Sequence, residues 1–349
     1  MRMMVIGTLL WAANTAAHAE VKIGKPLPAA EATLDVIKLD GGRADFKTIR
    51  RVVIPFFQVE VQEKLAKNAK SKELFGSATA NARADIKVQG LADSDVQPMV
   101  DAAYQRFVAK LTAAGIEVVP LATAAAASPK LARMVAAMKP APVTASTAGG
   151  GRSRFYTPSG LGFYFYGGDE RQSGLLSGFS QMGTATDEAY ALAELKDIAF
   201  VGLRTTISFV EAKSSDMSWF GRNGGGAAQI DSNAAAAITP GATRAWINPG
   251  MALSPKSPNR VSYVLANALV PPVNPVVSYK DTTSTAGKVG NIAASLLGGL
   301  AGGGSSFDYR DYTVVIDGPR FRDGIGAASA NVADLMGNAF VRDLGGTPR

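Results

Sequence analysis

Apolar positions change their spacing halfway through the segment Arg51–Val61. Val52, Ile54 and Phe56 open it as a buried run, and Phe57, Val59 and Val61 then alternate with Gln58 and Glu60. That pattern predicts a strand, fully buried at its start and half-buried afterwards. Pro55 has no N–H to give a ladder, so an edge position or a bulge is expected there. The polar stretch from Glu63 to Asn81, with Lys64, Lys67, Lys70 and Lys72, is expected to be an exposed loop with room for a short helix. Ala84, Ile86 and Val88 predict a second short strand over Arg83 to Gly90.

From Asp95 to Ala114 the period becomes helical. Val96, Met99, Val100, Ala103, Tyr104, Phe107, Val108 and Leu111 recur every three or four residues and make one apolar stripe. Asp95 is the expected N-cap, Pro98 falls in the first turn, and Gly115 is the natural stop. Ile116 to Val119 follows as a strand, so strand, helix and strand form a crossover unit. Ser128-Pro129 predicts another helix reaching Met138.

Farther on, Leu161 to Tyr166 reads as an aromatic strand, and Thr186 caps a helix through Leu195. Ile198 to Ala212 is a long strand with Val201, Leu203, Thr205, Ile207 and Phe209 on one side and Arg204, Thr206 and Ser208 on the other. Shorter strands are expected near Thr243–Ile247, Arg260–Leu269 and Val276–Tyr279, with Gly-rich loops between elements of this second half. A strand Tyr309–Ile316 and a helix from Ala327 to Leu344 close the chain. These elements predict an α/β (α+β) fold, a mixed sheet with helices packed on it.

The first residues set a location. Arg2, an apolar run from Met3 to Ala17 and the Ala17-His18-Ala19 site have the form of a secretory signal, covering residues 1–19. Residues 20–45, with Pro26, Pro28, Gly41 and Gly42, read as an extended arm, and 46–349 as a single α/β domain. Removing 19 of the 349 residues leaves 330, enough for a large core. Cysteine is absent and the one histidine, His18, lies in the signal. Cysteine nucleophiles, histidine bases and histidine-held zinc or haem are therefore outside the mature chain's repertoire.

Charge and motifs narrow the field further. The formal charge is +7, but Lys and Arg are scattered without interleaved aromatics, so nucleic acid is not the expected partner. A basic surface in the periplasm suits anionic envelope polymers or lipid. Gly287-Lys288 lacks the remainder of a phosphate-binding loop, and no G-x-S-x-G surrounds Ser177 or Ser180. The carboxylate pairs Asp93/Asp95, Asp169/Glu170 and Asp308/Asp311 are the only acid–base resource, and they read as caps and turns. No catalytic, metal-binding or cofactor-binding residue is expected, and no cofactor.

One segment stands apart. Val289–Gly304 is uncharged, and Gly298 and Gly302 are four residues apart, as are Gly299 and Gly303. Small residues at that spacing allow close backbone approach in a membrane. Leu296, Leu297, Leu300, Gly298 and Gly302 are thus the expected membrane or subunit contacts, within a flexible or membrane-contacting segment 281–306.

Val52-Val-Ile-Pro-Phe56, the helix Asp95–Ala114 and Gly115-Ile-Glu-Val-Val119 together resemble the first crossover unit of two periplasmic groups. These are relatives of the curli-secretion channel subunit and of the TolB N-terminal domain. The resemblance covers about half the chain. The curli subunit is a lipoprotein, whereas this chain has no cysteine to acylate. The likeness implies a TolB-like opening unit and a periplasmic protein, free or associated with the outer membrane. The expected function is non-catalytic: assembly with itself or with an outer-membrane complex, in a structural, assembly or secretion-accessory role. A carboxylate-based hydrolase of envelope polymer and a periplasmic carrier of an apolar ligand are the alternatives. Processing is the first test: mass spectrometry of exported protein should find Glu20 at the N-terminus, and an intact Met1 there would contradict the signal assignment.

Overall fold

The chain opens with two short strands, β1 (Leu27–Pro28) and β2 (Ile37–Asp40), then commits 22 residues to a third, β3 (Arg51–Lys72). This computed structural model describes residues 25–40, 49–72, 79–147, 151–165, 187–195, 197–215, 229–249, 261–285 and 306–344. After β3 come β4 (Thr79–Gln89), α1 (Asp93–Ala113), β5 (Glu117–Val118), α2 (Leu121–Ala127) and α3 (Pro129–Ala136). A hairpin of β6 (Val143–Thr147) and β7 (Gly151–Tyr156) follows, then α4 (residues 187–194). The second half adds β8 (Ile198–Ser215), β9 (Gln229–Ile238), β10 (Arg244–Asn248), β11 (Val261–Leu265) and β12 (Leu269–Val270). It ends with β13 (Val276–Asp281), β14 (Ser306–Ile316) and α5 (Gly318–Asp343).

All 14 strands belong to one curled mixed sheet whose spine is the parallel pair β3/β8. One face carries α1 and α5. Phe107 on α1 meets Phe57 at 6.0 Å and Phe340 on α5 at 5.8 Å, and Tyr263 of β11 stands edge-on to Phe340 at 4.6 Å. The other face carries α2, α3 and α4 around Phe56, Phe200 and Trp246. The sheet is thereby buried on both sides at its centre.

Glycines permit the closest approaches. A Cβ at Gly337 would lie 2.8 Å from Lys110 Cβ, so glycine lets α5 approach α1. A Cβ at Gly202 would lie 2.2 Å from the Trp246 indole, which crosses the strand opposite it.

Several expectations are met. β5 pairs in parallel with the start of β3, completing the strand–helix–strand unit. The β3/β8 register shifts between Val53 and Phe56, so Pro55 sits in a bulge. Ser128 caps α3 by accepting Leu131 N–H.

Other expectations need correction. The polar stretch Glu63–Asn81 is not a loop through its described part: residues 63–72 continue β3 and 79–81 begin β4. Lysine and alanine have low strand propensity, and here ladder partners override it. The segment 161–165 is not a strand; Phe163 makes a single bridge to Lys139, and its aromatics pack on Phe155. Helix α1 starts at Asp93, so Asp95 reaches back to the Ala92 N–H and Pro98 lies inside the helix. Helix α5 begins at Gly318, nine residues before the expected start at Ala327, because Asp317 caps it and Pro319 fills its first turn. Gly324 and Gly326 in that stretch hide the helical period.

The N-terminal arm is woven into the body. Val36 and Ile37 are buried, Leu27 N–H bonds to Ala268 O at 2.9 Å, and β2 pairs with β11. Among the described residues no helix is long and apolar enough to cross a membrane.

Phe107 is fully buried between sheet and α5. Phe107→Ala should cost about 3–5 kcal/mol in chemical denaturation. A loss below about 1 kcal/mol, the scale of a surface change, would mean that the stripe is not core.

Candidate functional site: the parting of the central strands

β3 and β8 run side by side from Arg51↔Ile198 to Val61↔Ile207. Beyond that rung each takes a hairpin partner of its own. β3 continues opposite β4 up to Lys72↔Thr79, and β8 continues opposite β9 up to Ser215↔Gln229. Because β3 and β8 are parallel, both hairpins leave the body in the same direction. The apolar core reaches Leu65 and Ile86 on the first hairpin and Val210 and Ala236 on the second.

A band of buried polar groups lies just below the parting. Gln58 is opposite Arg204, and Glu60 is opposite Thr206. All four are at most 1% exposed. Arg204 donates through Nε and Nη2 to Gln58 Oε1, at 3.2 and 2.6 Å, and its guanidinium lies 5.5 Å from the Phe155 ring centre. Gln58 passes its own amide hydrogen to Tyr164 O at 2.7 Å. Glu60 accepts from Ser153 Oγ at 2.7 Å and from Thr206 Oγ1 at 3.0 Å. The Thr206 N–H has lost its ladder partner, because the partner strand is interrupted between β9 and β10. Thr243 Oγ1 accepts that hydrogen at 3.0 Å instead.

The opposite side of the same junction is ionic. Arg154 places Nε 2.7 Å from Glu63 and Nη1 2.8 Å from Asp93. Arg152 approaches the other Glu63 oxygen at 3.3 Å, and Tyr156 donates to Asp93 at 2.8 Å. Burial opposes ionisation of Asp93, yet the hydrogen bonds from Tyr156 and Arg154 outweigh it and hold its pKa below the usual aspartate value. The Tyr156 hydroxyl is pushed up, first by burial and then by Asp93. Lys64 crosses to Asp85 on β4 at 3.0 Å.

These groups tie β3, β7, β8 and α1 to one another. Among the described residues no three His, Cys, Asp or Glu side chains stand together to hold a metal ion. Asp93 and Asp95 are engaged in the ion network and the helix start; Asp169 and Glu170 lie outside the described residues. A cleft of about 570 Å³ lies between Met138–Ala141 and Thr157–Gly162, walled by Leu121, Val135 and Leu161.

Leu296, Leu297, Leu300, Gly298 and Gly302 lie outside the described residues. Ser306, the first residue of β14, pairs with Ala80 one rung from the last described pair of the first hairpin. Sequence reasoning missed the buried band because Gln58, Glu60, Arg204 and Thr206 alternate with apolar residues and so read as solvent-facing. Their available signal was joint: two polar pairs at matching spacing on the two strongest strands.

The chain matches no protein-family model, and neither a curated protein sequence nor a solved structure is similar to it.

Glu60→Leu strands the hydroxyls of Ser153 and Thr206 without their acceptor. It should cost roughly 2–6 kcal/mol in urea denaturation, the scale of leaving two buried hydroxyl donors unsatisfied at about 1–3 kcal/mol each. An unchanged midpoint would show that the band does not hold the strands.

Proposed function

We propose that this protein is a non-catalytic component of the cell envelope that assembles with further copies of itself through the end from which both hairpins project. The observation that carries the reading is the parting at Val61↔Ile207: two hairpins leave the body at one end of the sheet, and β14 starts beside the first of them at Ser306↔Ala80. The second hairpin is a two-stranded ribbon over most of its described length, which alone is marginal in water. The first is flanked by β14 along β4 and among the described residues leaves its β3 edge open beyond Lys64. Such edges offer unpaired backbone groups. Copies placed side by side would pair those edges and close them.

Length and sequence pattern support a membrane-facing assembly. Past the parting, β3 continues for the eleven residues 62–72 and β8 for the eight residues 208–215. At ~3.3 Å per residue these reach about 36 and 26 Å, against the ~25 Å apolar band of outer-membrane strands. Along β4 the sequence alternates without a break: Thr79, Asn81, Arg83, Asp85 and Lys87 are polar, and Ala80, Ala82, Ala84, Ile86 and Val88 are apolar. Such alternation suits a strand with water on one side and an apolar medium on the other. Leu296, Leu297, Leu300, Gly298 and Gly302 then serve as additional contacts at the same end. A periplasmic location with outer-membrane association follows from the signal-like N-terminus, and the TolB- and curli-channel-like opening unit is consistent with it.

The test places a charge in the apolar series without touching the described core. Ala82→Asp should keep the body folded, with a stability change within about 1 kcal/mol, and lose membrane retention and self-association. Fractionation and sedimentation in detergent measure both. Retention and oligomer size equal to the parent would sink the hairpin reading.

A further inference from the structure

We infer that Arg154 is a positioning residue that sets the angle at which the first hairpin leaves the body, an inference that rests on the hairpins being the assembly element. Three parts of the chain meet at this guanidinium. Glu63 is on β3, two residues beyond the last rung shared with β8. Asp93 opens α1, four residues after β4 returns from the hairpin. Arg154 itself belongs to β7, which is fixed to the body through the rungs Val59↔Tyr156 and Val61↔Arg154. One side chain therefore ties the outgoing limb and the chain that follows the returning limb to a strand whose own ladder with β3 ends at Lys64↔Arg152, where the hairpin ladder begins.

The contact is a fork. Nε lies 2.7 Å from Glu63 Oε1 as an ion pair without hydrogen-bond alignment, and Nη1 donates to Asp93 Oδ1 at 2.8 Å. A planar guanidinium can span two carboxylates on different elements, whereas an ammonium offers a single point of charge. Among the described residues Arg152 pairs with Glu63 alone, at 3.3 Å, with 58% of its side chain exposed. It is the weaker tether and serves as the control. The β3/β7 register also shifts between Gln62 and Lys64, so the backbone bends where the fork grips it. A bulge alone permits a range of exit angles, since it increases local twist and bend. The fork selects one of them from the side of the sheet that faces α1, while Glu60, held by Ser153 and Thr206, fixes the strand from the other.

An angle held this way matters to assembly. Copies that pair hairpin edges in a closed ring must all present those edges at the same inclination, since a heterologous contact closes only for one rotation.

The chain has no cysteine, so two introduced ones label cleanly. Spin labels at Ser71→Cys on β3 and Ala113→Cys at the end of α1 report the hairpin against the body in the full-length mature protein in detergent. The parent should give one narrow distance distribution. Arg154→Gln should widen it about two-fold, Arg154→Lys should not restore it, and Arg152→Gln should leave it unchanged. Thermal unfolding of the body, followed in parallel, separates a tilted hairpin from a damaged fold. Native mass spectrometry of Arg154→Gln should show a spread of oligomers where the parent shows one. An Arg154→Gln distribution that superimposes on the parent's overturns the inference, as does equal widening by Arg152→Gln. A parent that is monomeric in detergent while its labels still give one narrow distance would instead fault the assembly reading and leave the hairpin's anchorage supported.

Discussion

The parallel ladder between β3 and β8 is the constraint on which the rest of the structure depends. Its rungs bring Val53, Phe56, Phe200 and their neighbours to one face, and Val52, Phe57, Val201 and Leu203 to the other. Helices can then cover both faces. A parallel pair so enclosed has no solvent side on which to leave polar groups. Gln58, Glu60, Arg204 and Thr206 are nevertheless there, each with a hydrogen-bond partner across or beside the ladder. Removing one member costs the desolvation of those it leaves behind, so the band penalises any slip of one strand past the other. It lies directly before the rung where the two strands separate, the place at which a slip would misdirect both hairpins.

Much of the body was legible in the sequence because its elements are periodic. The stripe from Val96 to Leu111 specifies α1, the alternation along Val201 to Phe209 specifies β8, and Pro55 marks the bulge. The hairpins were not legible as hairpins. Lys64, Lys67, Lys70 and Lys72 look like a solvated loop, and the alanines at 80 and 82 are too small to extend the strand read from Ala84, Ile86 and Val88. The start of α5 was hidden because Gly324 lies where a side chain would strike Val273 O, 2.7 Å from the Cβ position. Glycine there answers to a neighbour, and a helical period cannot show that.

The candidate site was legible only in part. The segment holding Leu296, Leu297 and Leu300 drew attention by composition and lies outside the described residues, which resume at Ser306 beside Ala80 of the first hairpin. The polar band could not be read, because whether Arg204 meets water or Gln58 depends on Phe155 and the segment around Tyr164 covering a face that no local pattern identifies. At the junction the charged groups Arg154, Glu63 and Asp93 are spent on holding strands to one another.

The central claim is that copies join through the projecting hairpins, and particle mass tests it most directly. Native mass spectrometry of the mature protein, extracted from envelopes in mild detergent, should give one species at a fixed multiple of the chain mass. The same protein with residues 66–84 and 211–233 replaced by short Gly-Ser turns should give a folded monomer. A parent that runs as a monomer, or a shortened protein that keeps the parent's multiple, would contradict the account.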